Sequence, residues 1–429
     1  MASPRTDRTA GATRREVLGF GAALVGGAGL GSLAGCSTGQ SPTSGSSGGS
    51  GAPASVDRHT ELHGTRTLAF HGVHQAGIIT PPQAYGLFVA FDLVPGATKE
   101  ALRRLMGLWT DDARRLTTGT PILGDTEPEL ASAPARLTMT VGVGPKAVEV
   151  AGRRAEAPAW LAPLPAFPQI DKLQPRWSDG DLFVHLGSDD MVTLSHAMRM
   201  IVKDARTFAT VRWIQQGFRR SVGAETDGLT MRNLMGQVDG TQQPKPEDYD
   251  KLLWIGDGPA WLVGGTSLVI RRIRFDLDAW DGLDRAGKEE VIGRRLDNGA
   301  PLGAKDERDP VDLNAKTPGG LPLIPDFAHV RRSKTGNDRH QILRRGYNYD
   351  DSLVGHAEPG PGLVPANGTE TGLIFTAYQQ NITEQFVPIQ QRLAELDLLN
   401  VWTFPVGSAV FALLPGCQEG EILGQALFA

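Results

Sequence analysis

The sequence predicts an α+β fold of two tandem ferredoxin-like units, each running β-α-β-β-α-β with antiparallel sheets. Three observations predict it. Short runs rich in β-formers, such as Tyr85–Leu93 and Ala209–Phe218, alternate with segments of helical spacing. The order of these segments repeats in the two halves of the chain. The second half opens after a loop-like stretch between Arg220 and Trp261.

In the first half, Tyr85–Leu93 is bounded by Pro82 and Pro95-Gly96 and reads as a strand. A helix follows over 97–117, where Leu102, Leu105, Met106, Leu108, Trp109, Ala113 and Leu116 form one apolar stripe. Strands are predicted at 136–143 and 181–187, a helix at 188–207 and a closing strand at 209–218. In the second half a long strand is predicted at 261–277 and a short amphipathic helix at 285–296. Strands at 341–349 and 371–380 flank a loop rich in glycine and proline. A helix at 382–396 and a strand at 408–414 finish the unit.

The first 55 residues read differently. Arg14-Arg15 precede an apolar run, Val17–Ala34, that holds six glycines among its 18 residues and is a poor permanent membrane span. Twin arginine before a weak apolar run is the pattern of a Tat export signal; the alternative is a chance arginine pair before a membrane helix. Leu33-Ala34-Gly35-Cys36 resembles a lipobox, with Cys36 the lipidated residue. A cleavage site with an incidental cysteine is the other reading. Residues 37–55 are rich in Gly and Ser and read as a flexible tether. The predicted organisation is therefore 1–35 signal peptide with lipobox, 36–55 linker, 56–220 first domain and 221–429 second domain. The product is expected outside the cytoplasm, held to the membrane by a lipid anchor only, or secreted if Cys36 is not lipidated.

Composition removes several function classes. The 429 residues carry 43 Lys and Arg against 48 Asp and Glu, a net charge of −5, which argues against a nucleic-acid binder. Two cysteines build neither a disulfide framework nor a thiolate metal site, and with Cys36 lipidated Cys417 is left alone and inert. Attention therefore passes to histidine. His329 follows Phe327-Ala328 in a partly apolar stretch, whereas His340, flanked by Asp338, Arg339 and Gln341, looks solvated. Asp239 lies in Asn233–Thr241 between the halves, where ligand sites concentrate, although an Asp between glycines is more commonly just a turn. Arg344 and Arg345 start a strand and point to opposite faces, so one of the two can enter a given pocket.

These residues carry a resemblance. His74–Pro81, Gly236-Gln237-Val238-Asp239-Gly240, His329, Ile342–Tyr347 and Phe411–Pro415 are similar to the motifs of the dye-decolorizing peroxidase family, and the sequence resembles its Tat-exported, EfeB-like deferrochelatase/peroxidase branch over nearly the whole body. The resemblance implies one haem b per chain, between the sheet and helices of the second half. It implies His329 as the proximal iron ligand, the backbone of Gly236, Gln237 and Val238 close to the haem plane, Asp239 as the distal acid–base and Arg344 as its cationic neighbour. Arg345 is left to a haem propionate or the surface. An Asp that moves a proton beside a cation favours activity at acidic pH. The chain departs from the family pattern at Val330–Asn337, so Arg331, Arg332 and Lys334 are expected to supply the charge for the propionates. Asp276 and Asp278 are guesses for the acceptor behind His329.

The implied reaction is reduction of hydrogen peroxide with oxidation of bulky, phenolic or dye-like organic donors. The first alternative is deferrochelation, release of iron from haem with the porphyrin intact, beside components of an iron-uptake system. The second is a non-enzymatic haem-binding lipoprotein. Sheet edges that can pair between subunits leave a homo-oligomer open.

Overall fold

The computed structural model describes residues 63–226, 228–351 and 370–429. Arg14, Arg15, Cys36 and the tether lie outside the described residues. Two α+β units follow one another. The first contains β1 (Tyr85–Leu93), α1 (Lys99–Leu116), β2 (Thr138–Val143), α2 (Pro145–Val150), β3 (Leu182–Ser188), α3 (Met191–Ala205) and β4 (Ala209–Phe218). A short helix, α4 (Tyr249–Leu252), lies in the connection. The second contains β5 (Thr266–Phe275), α5 (Leu277–Asp281), α6 (Arg285–Ile292), α7 (His329–Arg332), β6 (Leu343–Arg344), β7 (Tyr347–Asp350), β8 (Thr371–Gln379), α8 (Phe386–Leu396) and β9 (Thr403–Leu413).

In the first sheet β1 pairs β3 and β4, and β3 pairs β2; in the second β5 pairs β9 and β8, and β8 pairs β7, all antiparallel. Both units thus have the ferredoxin-like strand order. Two thin seams join them, β2 to β9 at Gly142↔Leu413 and Val143↔Ala412, and β4 to β7 at Phe218↔Asn348. Through these seams the ladder of eight strands closes on itself, which removes most of the edge the sequence left exposed. Gly217 makes the second seam possible. A Cβ there would stand 2.5 Å from Tyr347 Cβ and 3.0 Å from the carbonyl oxygen of Asn348.

The alternation of β1 sorts its side chains into two cores. Leu87, Val89 and Phe91 face the helices, where they meet Leu105, Met106 and Trp109 of α1 and Leu194, Ala197 and Ile201 of α3. Phe88 and Ala90 face inward and meet Ile270, Ile374, Ala409 and Phe411 of the second sheet. Thr98 and Asp190 start α1 and α3 by accepting from Ala101 N and Thr193 N. Trp109 Nε1 donates to Ile201 O at 3.1 Å, locking α1 to α3.

The strand expected at 341–349 is broken into β6 and β7 at Arg345-Gly346, where Arg345 N bonds Thr376 O. Gln75 clamps the first seam: its Nε2 donates to Val141 O and Leu414 O, while its Oε1 accepts from Val141 N. The outer face of the second sheet is left to α6, α7, α8 and the loop 233–243, and it carries the functional cavity.

Candidate active site

The cavity, about 460 Å³, lies between the outer face of β5, β8 and β6 and the covering helices α7 and α8. Ile273, Phe275, Leu373 and Phe375 form an apolar sheet floor; Phe386 and Leu393 of α8 form a lid. Polar groups enter from three elements.

The first is the loop that starts at Asn233. Gly236 N bonds Asn233 O at 2.9 Å and Asn233 N bonds Gln237 O at 3.0 Å, closing a tight turn. Gly236 sits at φ +83° with nothing within 4 Å of a Cβ position. The left-handed backbone by itself favours glycine at this position. Gln237, Val238, Asp239 and Gly240 line the cavity, and Gly236 stands just behind them in the turn. The second element is β6. Gln243 holds its backbone on both sides, accepting from Arg344 N at 2.8 Å and donating to Arg344 O at 3.0 Å. Arg344 Nη1 then reaches Asp239 Oδ1 at 3.4 Å and Nη2 reaches Gln242 O at 3.1 Å.

The third element is α7. His329 is its first residue, and its Nδ1 lies 2.6 Å from Asp397 Oδ2. Asp397, only 3% exposed in its side chain, ends α8 and also accepts from Leu399 N through Oδ1 at 3.0 Å. Burial works against an imidazolium here, but the charge and hydrogen bond of Asp397 outweigh it and hold His329 above the ordinary histidine pKa. With Nδ1–H donated to the carboxylate, Nε2 is the ring nitrogen left for the cavity.

Several expectations need correction. The acceptor behind His329 is Asp397, and Asp276 instead caps α5 at Ala279 N. Nothing in the sequence near Asp397 marks it, because the contact spans 68 positions. Arg345 reaches neither cavity nor surface: it is 2% exposed and bonds Gln83, Ile78 O and Thr80 O inside the closed ring. Arg331 is spent on the carbonyls of Leu313 and Ile324, and Arg332 on Glu395 and Arg392 O. Of that basic run only Lys334 lines the cavity. His340 also lines it, rather than standing free in solvent, and its Nδ1 is buried without a partner. Arg271 of β5 was not singled out by the sequence. It lines the cavity, is 1% exposed and pairs with Asp171 through Nη2, while its Nε and Nη1 have no partner. Cys417 is buried, with its thiol pushed up to about 11 by that burial, which fits an inert residue.

Imidazole, carboxylate and guanidinium around a half-apolar cavity, on a doubled ferredoxin-like scaffold, make a pocket able to bind a large ligand and move protons beside it. The descriptions "Dyp-type peroxidase, N-terminal" and "Dyp-type peroxidase, C-terminal" match residues 75–219 and 230–418. A dye-decolorizing peroxidase of Thermobifida fusca is 37% identical, covering 100% of this chain and 99% of its own length. A deferrochelatase of Yersinia pestis is 34% identical over 83% of this chain and 84% of its own. Among solved structures, a DyP-type peroxidase of Cellulomonas bogoriensis superposes with a TM-score of 0.80 at 49% identity, covering 85% of this chain and 99% of that one. Ferric DtpA of Streptomyces lividans superposes at 0.79 with 39% identity, covering 86% and 99%. The chain belongs to the Dyp-type peroxidase family and is a haem-dependent enzyme.

The residues present fit haem. An apolar floor suits a flat macrocycle, Nε2 of His329 suits its iron, and the unpartnered N–H groups of Arg271 suit a carboxylate on its rim.

Proposed function

We propose that this peroxidase uses Asp239 as the acid–base for hydrogen peroxide, Arg344 as its charge stabiliser and His329 as the iron ligand. The observation that carries the reading is the Asp239–Arg344 pair standing in the same cavity as the Asp397-backed His329. Bound haem supplies the iron at which peroxide is reduced and to which donors deliver two electrons. Asp239 takes the proton from one peroxide oxygen and returns it to the other, so that water can leave. Arg344 steadies the negative charge that develops on the departing oxygen with its guanidinium fork. The Asp397 carboxylate keeps Nδ1 of His329 protonated and the ring electron-rich. Arg271 would hold one haem carboxylate and Lys334 would serve another. Gln237 and Val238 would supply backbone beside the ring.

Asp239→Ala and Arg344→Leu variants are expected to bind haem with a normal Soret band and to react with peroxide roughly 10²–10⁴-fold more slowly in stopped flow. Parent-like rates in both variants would remove the assignment. The donors we propose are bulky or phenolic organic molecules.

A second reading is favoured by the Yersinia relative, whose name is deferrochelatase: removal of iron from haem with the porphyrin intact, in company with an iron-uptake system. Chromatography of the products separates the two, since one yields oxidised donor and the other metal-free protoporphyrin. Arg14-Arg15 and the Cys36 lipobox support export by the Tat route and a lipid tether outside the cytoplasmic membrane. Among the described residues no helix is long and apolar enough to cross a membrane. A Cys36→Ser variant that stays membrane-bound would remove the tether.

A further inference from the structure

Asp239 has two oxygens with different neighbours. Oδ1 accepts from Arg344 Nη1 at 3.4 Å; Oδ2 accepts from Asn233 Nδ2 at 3.3 Å. Asn233 is 6% exposed and lines the cavity at the far end of the turn that presents Asp239. Its own orientation is fixed. Oδ1 accepts from two backbone donors, Met235 N at 3.1 Å and Gln237 N at 3.2 Å. A flipped amide would face those two N–H groups with two more, so the NH₂ group is the one that must point away from the turn. Nδ2 also meets Gln237 Oε1 at 3.2 Å. Met235 is pinned in turn, its carbonyl accepting from Trp280 Nε1 at 3.1 Å.

We infer that Asn233 is a positioning residue for peroxide reduction: its Oδ1 builds the turn and its Nδ2 fixes Oδ2 of Asp239 in one orientation beside Arg344. The inference rests on the acid–base reading of Asp239. A carboxylate held at both oxygens keeps one orientation, so the proton is taken and returned along one direction. Charged groups also surround it. Those groups are Arg344 on β6, Arg219 after β4 and His329 on α7, with Arg294 close to Arg344.

Asn233→Asp separates the two duties. It keeps an Oδ1 acceptor for the turn but replaces the donor with an oxygen that repels Oδ2. The haem-loaded variant is expected to show the acid limb of its peroxide-reaction profile displaced upward by a pH unit or more, with rates on that limb about tenfold lower. Infrared spectra of the haem-free protein give an independent readout. The Asp239 carboxyl band, assigned by its loss in Asp239→Asn, should titrate at higher pH in Asn233→Asp than in the parent. Asn233→Ala, which also loses the donor, serves if Asn233→Asp fails to fold. An unmoved band and an unmoved acid limb overturn the positioning role. Asp239→Asn with parent-like peroxide kinetics overturns the acid–base reading instead, and the infrared titration still decides whether Asn233 holds Asp239.

Discussion

Replacing Asp397 with Asn tests the link between a buried carboxylate and the redox behaviour of the haem-loaded protein. Asp397 performs two acceptor duties, for His329 Nδ1 at 2.6 Å and for Leu399 N at 3.0 Å. Asn has one acceptor oxygen and no charge, so one duty fails and the charge assistance to His329 disappears. On the ligand role proposed for His329, loss of this partner costs about 10–100-fold in metal affinity, or about 1.4–2.8 kcal/mol. Carried by the ferric state alone, that loss sets an upper bound: at about 59 mV per factor of ten for one electron, the ferric/ferrous potential should rise by up to about 60–120 mV. The sign follows because a less electron-rich imidazole stabilises ferric iron less. Spectroelectrochemical titration of parent and Asp397→Asn, both haem-loaded, reads the shift. A potential within about 20 mV of the parent, with the Soret band preserved, would refute the claim that Asp397 tunes the ligand.

Other outcomes are equally specific. In the haem-free protein, His329 has a raised pKa, so its contribution to stability is fully present below about 6.5 and fades as pH rises through the folded value; thermal melts should show this fall, and Asp397→Asn should flatten it. Asp112 of α1 is pushed up to about 8 by burial and by Asp204 behind it on α3, so the folded state favours its neutral form. That contribution is complete below about 3.8 and is lost as pH rises through about 8; Asp112→Asn should melt higher than the parent at pH 8 and equal it near pH 4. Arg271→Gln should release haem to an excess acceptor protein about tenfold faster, the value of one charge-assisted hydrogen bond; an unchanged rate would remove Arg271 from the haem contacts. Gly217→Ala should lower the melting temperature measurably, because its Cβ would meet Tyr347 Cβ and the carbonyl oxygen of Asn348 across the seam, neither of which can turn away.

Much of the scaffold was legible because periodicity is local. β1 and β4 fall where the β-rich runs stand, and the α1 stripe predicted from Leu102, Leu105, Met106 and Trp109 is the stripe that packs on the first sheet. The break at Arg345-Gly346 was not legible. It depends on a bond from Arg345 N to β8 and on the use of Arg345 inside the ring.

The sequence by itself determined the doubled α+β order and brought His329, Asp239 and Arg344 forward as candidates through motif resemblance. Only the tertiary structure decided which partners those groups meet. Asp397, Arg271 and Asn233 act across the fold or through one oriented amide, and no period or motif records such a contact. The same holds for the arginines: Arg331, Arg332 and Arg345 looked equivalent to other candidate cations in the chain. Their guanidinium groups were assigned only when folding brought carbonyls and carboxylates within 3.5 Å of some and left Arg271 with free N–H groups at the cavity. Hydrogen bonding is satisfied in space, and distance along the chain carries no information about it.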